Sequence, residues 1–380
     1  MHNVIIAGYC RSPFTPAQKG KLATVRPDDL AAQVVKGLIG KTGVEPADVE
    51  DLILGCAFPE GEQGFNLARL LVFLAGLPVS VAGTTVNRFC GSSMQAIHMA
   101  AGAIRMGAGD VFICAGVESM SRVPMGGFNP LPNPALYAAY PQAYMSMGET
   151  AENLARKYGI DRARQEAFAL ASQQKVFAAQ QKGLLAAEIV PIEASQVGYV
   201  EQDGCPRPDT SLEGLAKLAP AFLQDGSVTA GTSSPLTDGA AAVLVCSEAY
   251  ADAKGLEKLA RIKSIAVSGC AAEIMGIGPV AASRRALARA GLRLQDMDIV
   301  ELNEAFAAQS LAVLQDLPVP MDKLNLDGGA IALGHPLGAS GARITGKAAS
   351  LLQREKKRYA LATMCIGGGQ GIATVLEAIL

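Results

Sequence analysis

The chain states its main structural theme twice. Near its start, the apolar run Asn3–Gly8 reads as a strand, Pro27–Thr42 as an amphipathic helix and Asp51–Cys56 as a second strand. Much later, Arg261–Gly269, Gly278–Ala290 and Asp298–Leu302 repeat that order. The joints agree in detail. Gly43 and Gly291 each end a helix where a left-handed residue is wanted, and an aspartate, Asp48 or Asp296, follows five positions on. Each copy then shows a glycine-rich turn, a helix of small residues and a buried strand: Cys90–Arg105 with Asp110–Gly116, and Gly338–Leu352 with Tyr359–Cys365. The second copy closes on the strand Ile372–Glu377. Its counterpart in the first, Ala240–Ser247, arrives more than a hundred residues late. An insertion, roughly Met120 to Leu236, therefore interrupts the first half. It contains a Pro- and Tyr-rich loop (Pro124–Tyr144) and a long helical pattern (Thr150–Gln181). Strands alternating with helices predict an α/β architecture. Two unrelated α/β domains are the competing reading, and the matched strand order and Gly-to-Asp spacing favour duplication.

Composition narrows the function. The 380 residues suffice for two to three domains, and with 50% hydrophobic and 18% charged residues the chain can bury a large core. A formal net charge of -2 argues against nucleic-acid binding and against a basic membrane-binding face, so an anionic ligand would be met by a few local groups. Eight cysteines include no CxxC pair, and there are only three histidines; neither a metal site nor a disulfide framework is expected. Reduced thiols fit a cytoplasmic location. The first residues read as a strand rather than a leader, and the last four carry no peroxisomal tripeptide. The longest apolar stretch, Leu70–Gly83, is shorter than the ~20 residues needed to span a bilayer and contains Pro78, so no transmembrane segment is expected.

Four short constellations could carry chemistry. In NRFCGSSMQA, Cys90 stands just before a small-residue helix, where unpaired N–H groups and the positive dipole end favour thiolate. Its competing role is that of a small core residue. In GGAIALGHPLGASG, His335 lies among five glycines beside Pro336, which suits close approach to a ligand. A structural turn is the alternative. In MCIGGGQG, Cys365 ends a buried strand and enters a glycine run whose N–H groups could cradle an oxyanion; no Gly-Lys-[Ser/Thr] follows, so a P-loop is excluded. In LNEAFA, Asn303 and Glu304 at a strand end could orient water or an imidazole, or Asn303 could cap a helix. His98 lies eight residues after Cys90, about 12 Å along a helix, too far to be its base. His2 is terminal, which leaves His335 as the partner for a reactive thiol. Cys10, Cys114, Cys246 and Cys270 read as packing residues.

Together these segments resemble the thiolase family, in the family's order and over essentially the whole chain. The resemblance implies two similar βαβαβαββ halves in a five-layered αβαβα core with an inserted loop domain. On this sequence the N-terminal half would be 1–119 plus 237–257, the inserted coenzyme A-binding domain 120–236, and the C-terminal half 258–380. The family's roles fall on Cys90 as acylated nucleophile, His335 as its base and Cys365 as the second thiol, which exchanges a proton with the acetyl α-carbon. Asn303 would hold a water that forms one oxyanion hole with His335; the N–H groups of Cys90 and Gly367 would form the other. Arg207 matches the basic residue near the nucleotide end of coenzyme A. Phe222, Ala230 and Ser234 match its pantetheine path, and Met147 and Phe306 the surroundings of the acyl group. Gly214 stands where some relatives have a coenzyme-contacting Ser. TSS at Thr232–Ser234 resembles the degradative class that cleaves 3-ketoacyl-CoA in β-oxidation; the biosynthetic acetoacetyl-CoA class is the alternative. The resemblance also implies coenzyme A as co-substrate with no permanent cofactor, and a homodimer or homotetramer. Some relatives associate with a hydratase/dehydrogenase subunit. A decarboxylating ketosynthase would need a second catalytic histidine, and a silent coenzyme A- or lipid-binding protein would not need the four motifs intact.

Overall fold

The computed structural model describes residues 3–195 and 197–379. His2 lies outside the described residues. Twelve strands occur in chain order: β1 (Val4–Arg11), β2 (Thr15–Pro16), β3 (Asp51–Gly55), β4 (Ala82–Val86), β5 (Val111–Ser119), β6 (Ile192–Ala194), β7 (Gly198–Val200), β8 (Thr237–Ser247), β9 (Ala260–Gly269), β10 (Ile299–Leu302), β11 (Tyr359–Ile366) and β12 (Gln370–Glu377).

The duplication is visible in the pairing. The first half orders its strands β4-β3-β5-β8-β1, and the second β10-β11-β12-β9. The sense of each pairing agrees. β3 lies parallel to β5, as β10 does to β11, and antiparallel steps follow from β5 to β8 to β1 and from β11 to β12 to β9. β4 runs parallel beside β3; its counterpart shrinks to a single parallel bridge between Val300 and Leu324. The two halves join edge to edge through Ile5 and Ile6 of β1 opposite Arg261 and Ala260 of β9.

The matched joints have a shared geometry. Gly43 and Gly291 are left-handed (φ 67° and 68°), and short 3₁₀ turns, Pro46–Asp48 and Leu294–Asp296, lead on to β3 and β10. The helical pattern Thr150–Gln181 is in fact two helices, Met147–Tyr158 and Arg162–Gln181. Gly159 stops the first in the left-handed region, and the Asp161 side chain caps the second by accepting from the Arg164 N–H. The Pro- and Tyr-rich loop also contains structure: a short helix Pro134–Ala139 and a turn Pro141–Tyr144. Among the described residues, no helix is long and apolar enough to cross a membrane.

Five layers result. Pro27–Thr42 and Leu67–Leu74 cover the outer face of the first sheet half; Gly278–Ala290 and Ala307–Asp316 cover that of the second. Between the halves lie Ser92–Met106 and Leu337–Arg354, packed on each other and on strands of both. Every residue from Leu337 to Ala349 is buried. Glycine makes this possible. A Cβ at Gly116 of β5 would stand 2.2 Å from the Gly338 carbonyl oxygen, and one at Gly341 would stand 2.3 Å from the Met94 nitrogen. In both places backbone meets backbone, and no side-chain rotation relieves the clash.

Gly116→Ala should therefore destabilise the protein by about 1–3 kcal/mol through overpacking. Gly40→Ala meets nothing within 4 Å in the Pro27–Thr42 helix, and should instead gain about 0.5–1 kcal/mol. Urea unfolding of both variants checks the contrast.

Candidate active site

The central helices begin next to each other: the Ala342 N–H donates to Ser93 Oγ at 2.8 Å, and Gly341 abuts Met94. Cys90 precedes the first helix by two residues and His335 precedes the second by two. Cys365 lies at the end of β11, and Asn303 directly follows β10 with its N–H donated to the Thr363 carbonyl at 3.0 Å. The strand ends of the second half and the helix starts of the central layer thus present these residues together.

The imidazole is held at both nitrogens. Ser340 Oγ donates to the Pro336 carbonyl (3.0 Å), so its remaining capacity is to accept from His335 Nδ1–H at 2.6 Å. This fixes Nε2 as the unprotonated nitrogen, and Asn303 Nδ2 donates to it at 3.2 Å. The His335 backbone N–H is anchored on Thr237 Oγ1 at 3.0 Å. Burial pushes the His335 pKa down to about 3, reinforced by the Arg343 guanidinium. Burial thus favours the neutral ring, with Nε2 as its acceptor nitrogen. Asn303 Oδ1 is buried without a protein partner among the described residues, positioned to accept from a water.

Burial disfavours the thiolate form of both cysteines. Burial pushes Cys90 up to about 12, against the pull of the Gly367 and Cys90 N–H groups, which favour its thiolate. The nearby N–H groups thus favour the thiolate as the sequence position suggests, and desolvation opposes them. Burial raises Cys365 as well, and the neighbouring Cys90 adds to the rise. A neutral base beside protonated thiols can take a proton as a bond forms, without a standing charge in a dry site.

Glu304 does not face this chemistry. Its carboxylate accepts from Ser172 Oγ (2.6 Å), Asn325 Nδ2 (2.7 Å) and the Ile331 N–H (3.3 Å), a structural knot behind the His335 loop. Asn303 is not a helix cap either; Phe306 occupies that position for Ala307–Asp316. His98 lies buried, bonded to Thr374 Oγ1 at 2.8 Å. Cys10, Cys114 and Cys246 are buried in β1, β5 and β8, and Cys270, partly exposed, follows β9.

Sequence reasoning missed Glu118. Its fully buried carboxylate accepts from the N–H groups of Ala57 (2.8 Å), Phe58 (3.2 Å) and Gly338 (2.8 Å) and from Gln63 Nε2 (2.8 Å). It bolts the loop after β3 to the start of the His335-bearing helix. A carboxylate at the end of the apolar run VFICAGVES was the available signal.

Of the residues expected around coenzyme A, several converge. Met147 packs with Phe306 and Cys365, and Phe222 meets Phe306 edge to face at 5.7 Å, with Gly148 under its ring. The Ser234 N–H donates to the Ala305 carbonyl at 3.0 Å. Ala230 is exposed at the start of the turn Ala230–Thr232, and Arg207 is exposed, its N–H held by Gln173 Oε1. Neither makes a hydrogen bond to the Phe222–Phe306–Met147 group. Gly214 N–H is taken by Ser211 Oγ. Beside Cys90 and Gly367, a cavity of about 460 Å³ opens between Phe58, Phe89, Tyr144, Met145, Met147 and Met275.

Comparison with known proteins bears on the fold and the family. Family models described as "Thiolase, N-terminal domain" and "Thiolase, C-terminal domain" match residues 4–249 and 256–378. A 3-ketoacyl-CoA thiolase of Pseudoalteromonas translucida is 50% identical over 388 residues, covering all of both chains. One from Bacillus subtilis is 47% identical over 389 residues, 99% of this chain and 100% of the relative. Human mitochondrial 3-ketoacyl-CoA thiolase, solved in complex with CoA, superposes with a TM-score of 0.92 at 40% identity, covering 100% of this chain and 98% of that one. A Bacillus anthracis acetyl-CoA acetyltransferase also superposes at 0.92 and 40% identity, covering 100% of this chain and 99% of that one. With both family models matched end to end on a repeated five-layered core, the chain belongs to the thiolase family.

Proposed function

We propose that this protein is a 3-ketoacyl-CoA thiolase, an acyltransferase that cleaves 3-ketoacyl-CoA with coenzyme A to acetyl-CoA and a shortened acyl-CoA. The observation that carries the reading is the His335 imidazole held by Ser340 and Asn303, beside the start of the helix that follows Cys90, with Cys365 within electrostatic reach of Cys90. Cys90 attacks the 3-keto carbonyl as its proton passes to His335 Nε2. The N–H groups of Cys90 and Gly367 receive the developing oxyanion. The C2–C3 bond then breaks. The departing acetyl-CoA enolate is stabilised at His335 and an Asn303-held water, and takes a proton from Cys365. Coenzyme A, deprotonated by Cys365, next attacks the acyl-Cys90 thioester, so the two half-reactions follow ping-pong order. No permanent cofactor enters these steps.

The cavity beside Cys90 favours the degradative reading over the acetoacetyl-CoA condensing one. Its apolar, methionine-rich walls enclose far more space than an acetyl group fills, and methionine adapts to flexible chains. The 120–236 insertion, carrying Arg207, Phe222, Ala230 and Ser234, is the coenzyme A-binding domain in this reading. The edge of β4, next to the exposed Phe65, Phe73 and Val79, is the surface through which two copies would pair as a homodimer. All eight cysteines are free, which suits a reducing, cytoplasmic setting.

The two thiols should do separable work. Cys365→Ser should still become acetylated at Cys90 on incubation with acetyl-CoA, read by peptide mass spectrometry. Its exchange of acetyl methyl protons with deuterated water should fall by about 10²–10⁴-fold, since a serine hydroxyl is a far weaker acid. Wild-type exchange in this variant, or an acetyl group found only on Cys365 in the unmodified protein, would overturn the assignment.

Arg207 is assigned to the phosphate end of coenzyme A. Arg207→Ala should raise KM for coenzyme A and raise it much less for the analogue lacking the 3′-phosphate. Equal rises would assign the contact to another residue.

A further inference from the structure

Behind His335 lies a second group of polar side chains that the chemistry above does not use. Glu301 sits in β10 two residues before Asn303, and Arg343 lies in the Leu337–Arg354 helix two turns after His335. Both are buried; the Arg343 side chain is 1% exposed, as is that of Glu301. Their nearest charged atoms, Arg343 Nη1 and Glu301 Oε2, are 3.6 Å apart, too far for a direct hydrogen bond. Glu301 Oε1 and Oε2 and Arg343 Nε and Nη2 have no hydrogen-bond partner among the described residues. Neither does the buried Tyr9 hydroxyl, whose ring lies against Gly346, one turn beyond Arg343, within electrostatic reach of its charge.

Five buried polar atoms left without partners are costly in a dry layer, and ordered water reaching the atoms that the pair leaves open would offset that cost. We propose that Arg343 and Glu301, with Tyr9, form a water-bridged buried couple that positions His335 against Asn303. Arg343 and Glu301 act as positioning residues, touching no substrate. The couple ties the strand whose end carries Asn303 to the helix whose start carries His335, across the gap where Asn303 Nδ2 and His335 Nε2 meet. Neighbouring charges are already committed. Lys347 is paired with Glu188 (2.9 Å) and Asp327 (2.6 Å), and Asp327 with Arg354 (2.7 Å). Glu304 is hydrogen-bonded to Ser172 and Asn325. Arg343 is the charged group that acts on the imidazole, disfavouring its protonated form in addition to burial.

This inference rests on His335 being the base for Cys90. Its test uses the intact protein and two readouts: thiolysis kinetics, and the pH dependence of Cys90 alkylation by iodoacetamide. Arg343→Met removes the charge and the bridge but keeps much of the volume. Its kcat should fall about 10- to 100-fold, the scale of a displaced catalytic group, with little change in KM for coenzyme A. The acidic limb of its alkylation profile should also move to higher pH, because the imidazole becomes easier to protonate. Arg343→Lys keeps the charge and should leave that limb in place. Glu301→Gln, a near-isosteric change, should lower kcat without raising KM, and it carries the test if Arg343→Met fails to fold. Folded variants with wild-type kcat and an unmoved limb, alongside normal wild-type thiolysis, would overturn this couple alone. A folded His335→Ala variant whose Cys90 is alkylated as fast as in the unmodified protein would overturn the couple and the base assignment together.

Discussion

The backbone contact between the central helices and the strands around them is the constraint on which the rest depends. At Gly116 against Gly338 and at Gly341 against Met94, no Cβ fits between main chains. This closeness lets two helices fill the space between two sheet halves and brings their starting ends together. Glu118 then fastens the junction, its carboxylate gathering N–H groups from the loop after β3 and from Gly338. Burial raises the Glu118 pKa, and those donors oppose the rise. A catalytic pair drawn from the two halves of a duplicated chain requires such a join.

The same packing sets the electrostatics. Removing water raises the pKa of Cys90 to about 12 and lowers that of His335 to about 3. Burial thus disfavours both thiolate and imidazolium, and the Gly367 N–H near Cys90 opposes the first of these effects. Ser340 and Asn303 ensure that the free imidazole nitrogen is Nε2.

Much of this was legible in the chain. The helices Pro27–Thr42 and Gly278–Ala290 fall where glycine stops and apolar periodicity put them, because their signals are local. Cys90, His335, Cys365 and Asn303 stood out because reactive residue types were set among glycines. The Gly159 break escaped notice because the helical pattern continues across it. The burial that opposes the thiolate at Cys90 was not legible. A helix start is visible in sequence, whereas the depth of burial depends on strands hundreds of residues away. Glu118, Ser340 and the Arg343–Glu301 couple act through contacts between distant segments, or through geometry that spacing alone does not reveal. Glu304 was a candidate because it adjoins Asn303, yet Ser172, Asn325 and the Ile331 N–H hold its carboxylate elsewhere.

The central claim is cleavage through an acyl-Cys90 intermediate with the two substrates acting in turn. Initial rates of 3-ketoacyl-CoA loss, followed by its enolate absorbance while coenzyme A and acyl length are varied, test it directly. The account predicts turnover with parallel double-reciprocal lines, extending to acyl chains well beyond acetoacetyl-CoA. Intersecting lines, or no substrate loss at any chain length, would contradict it.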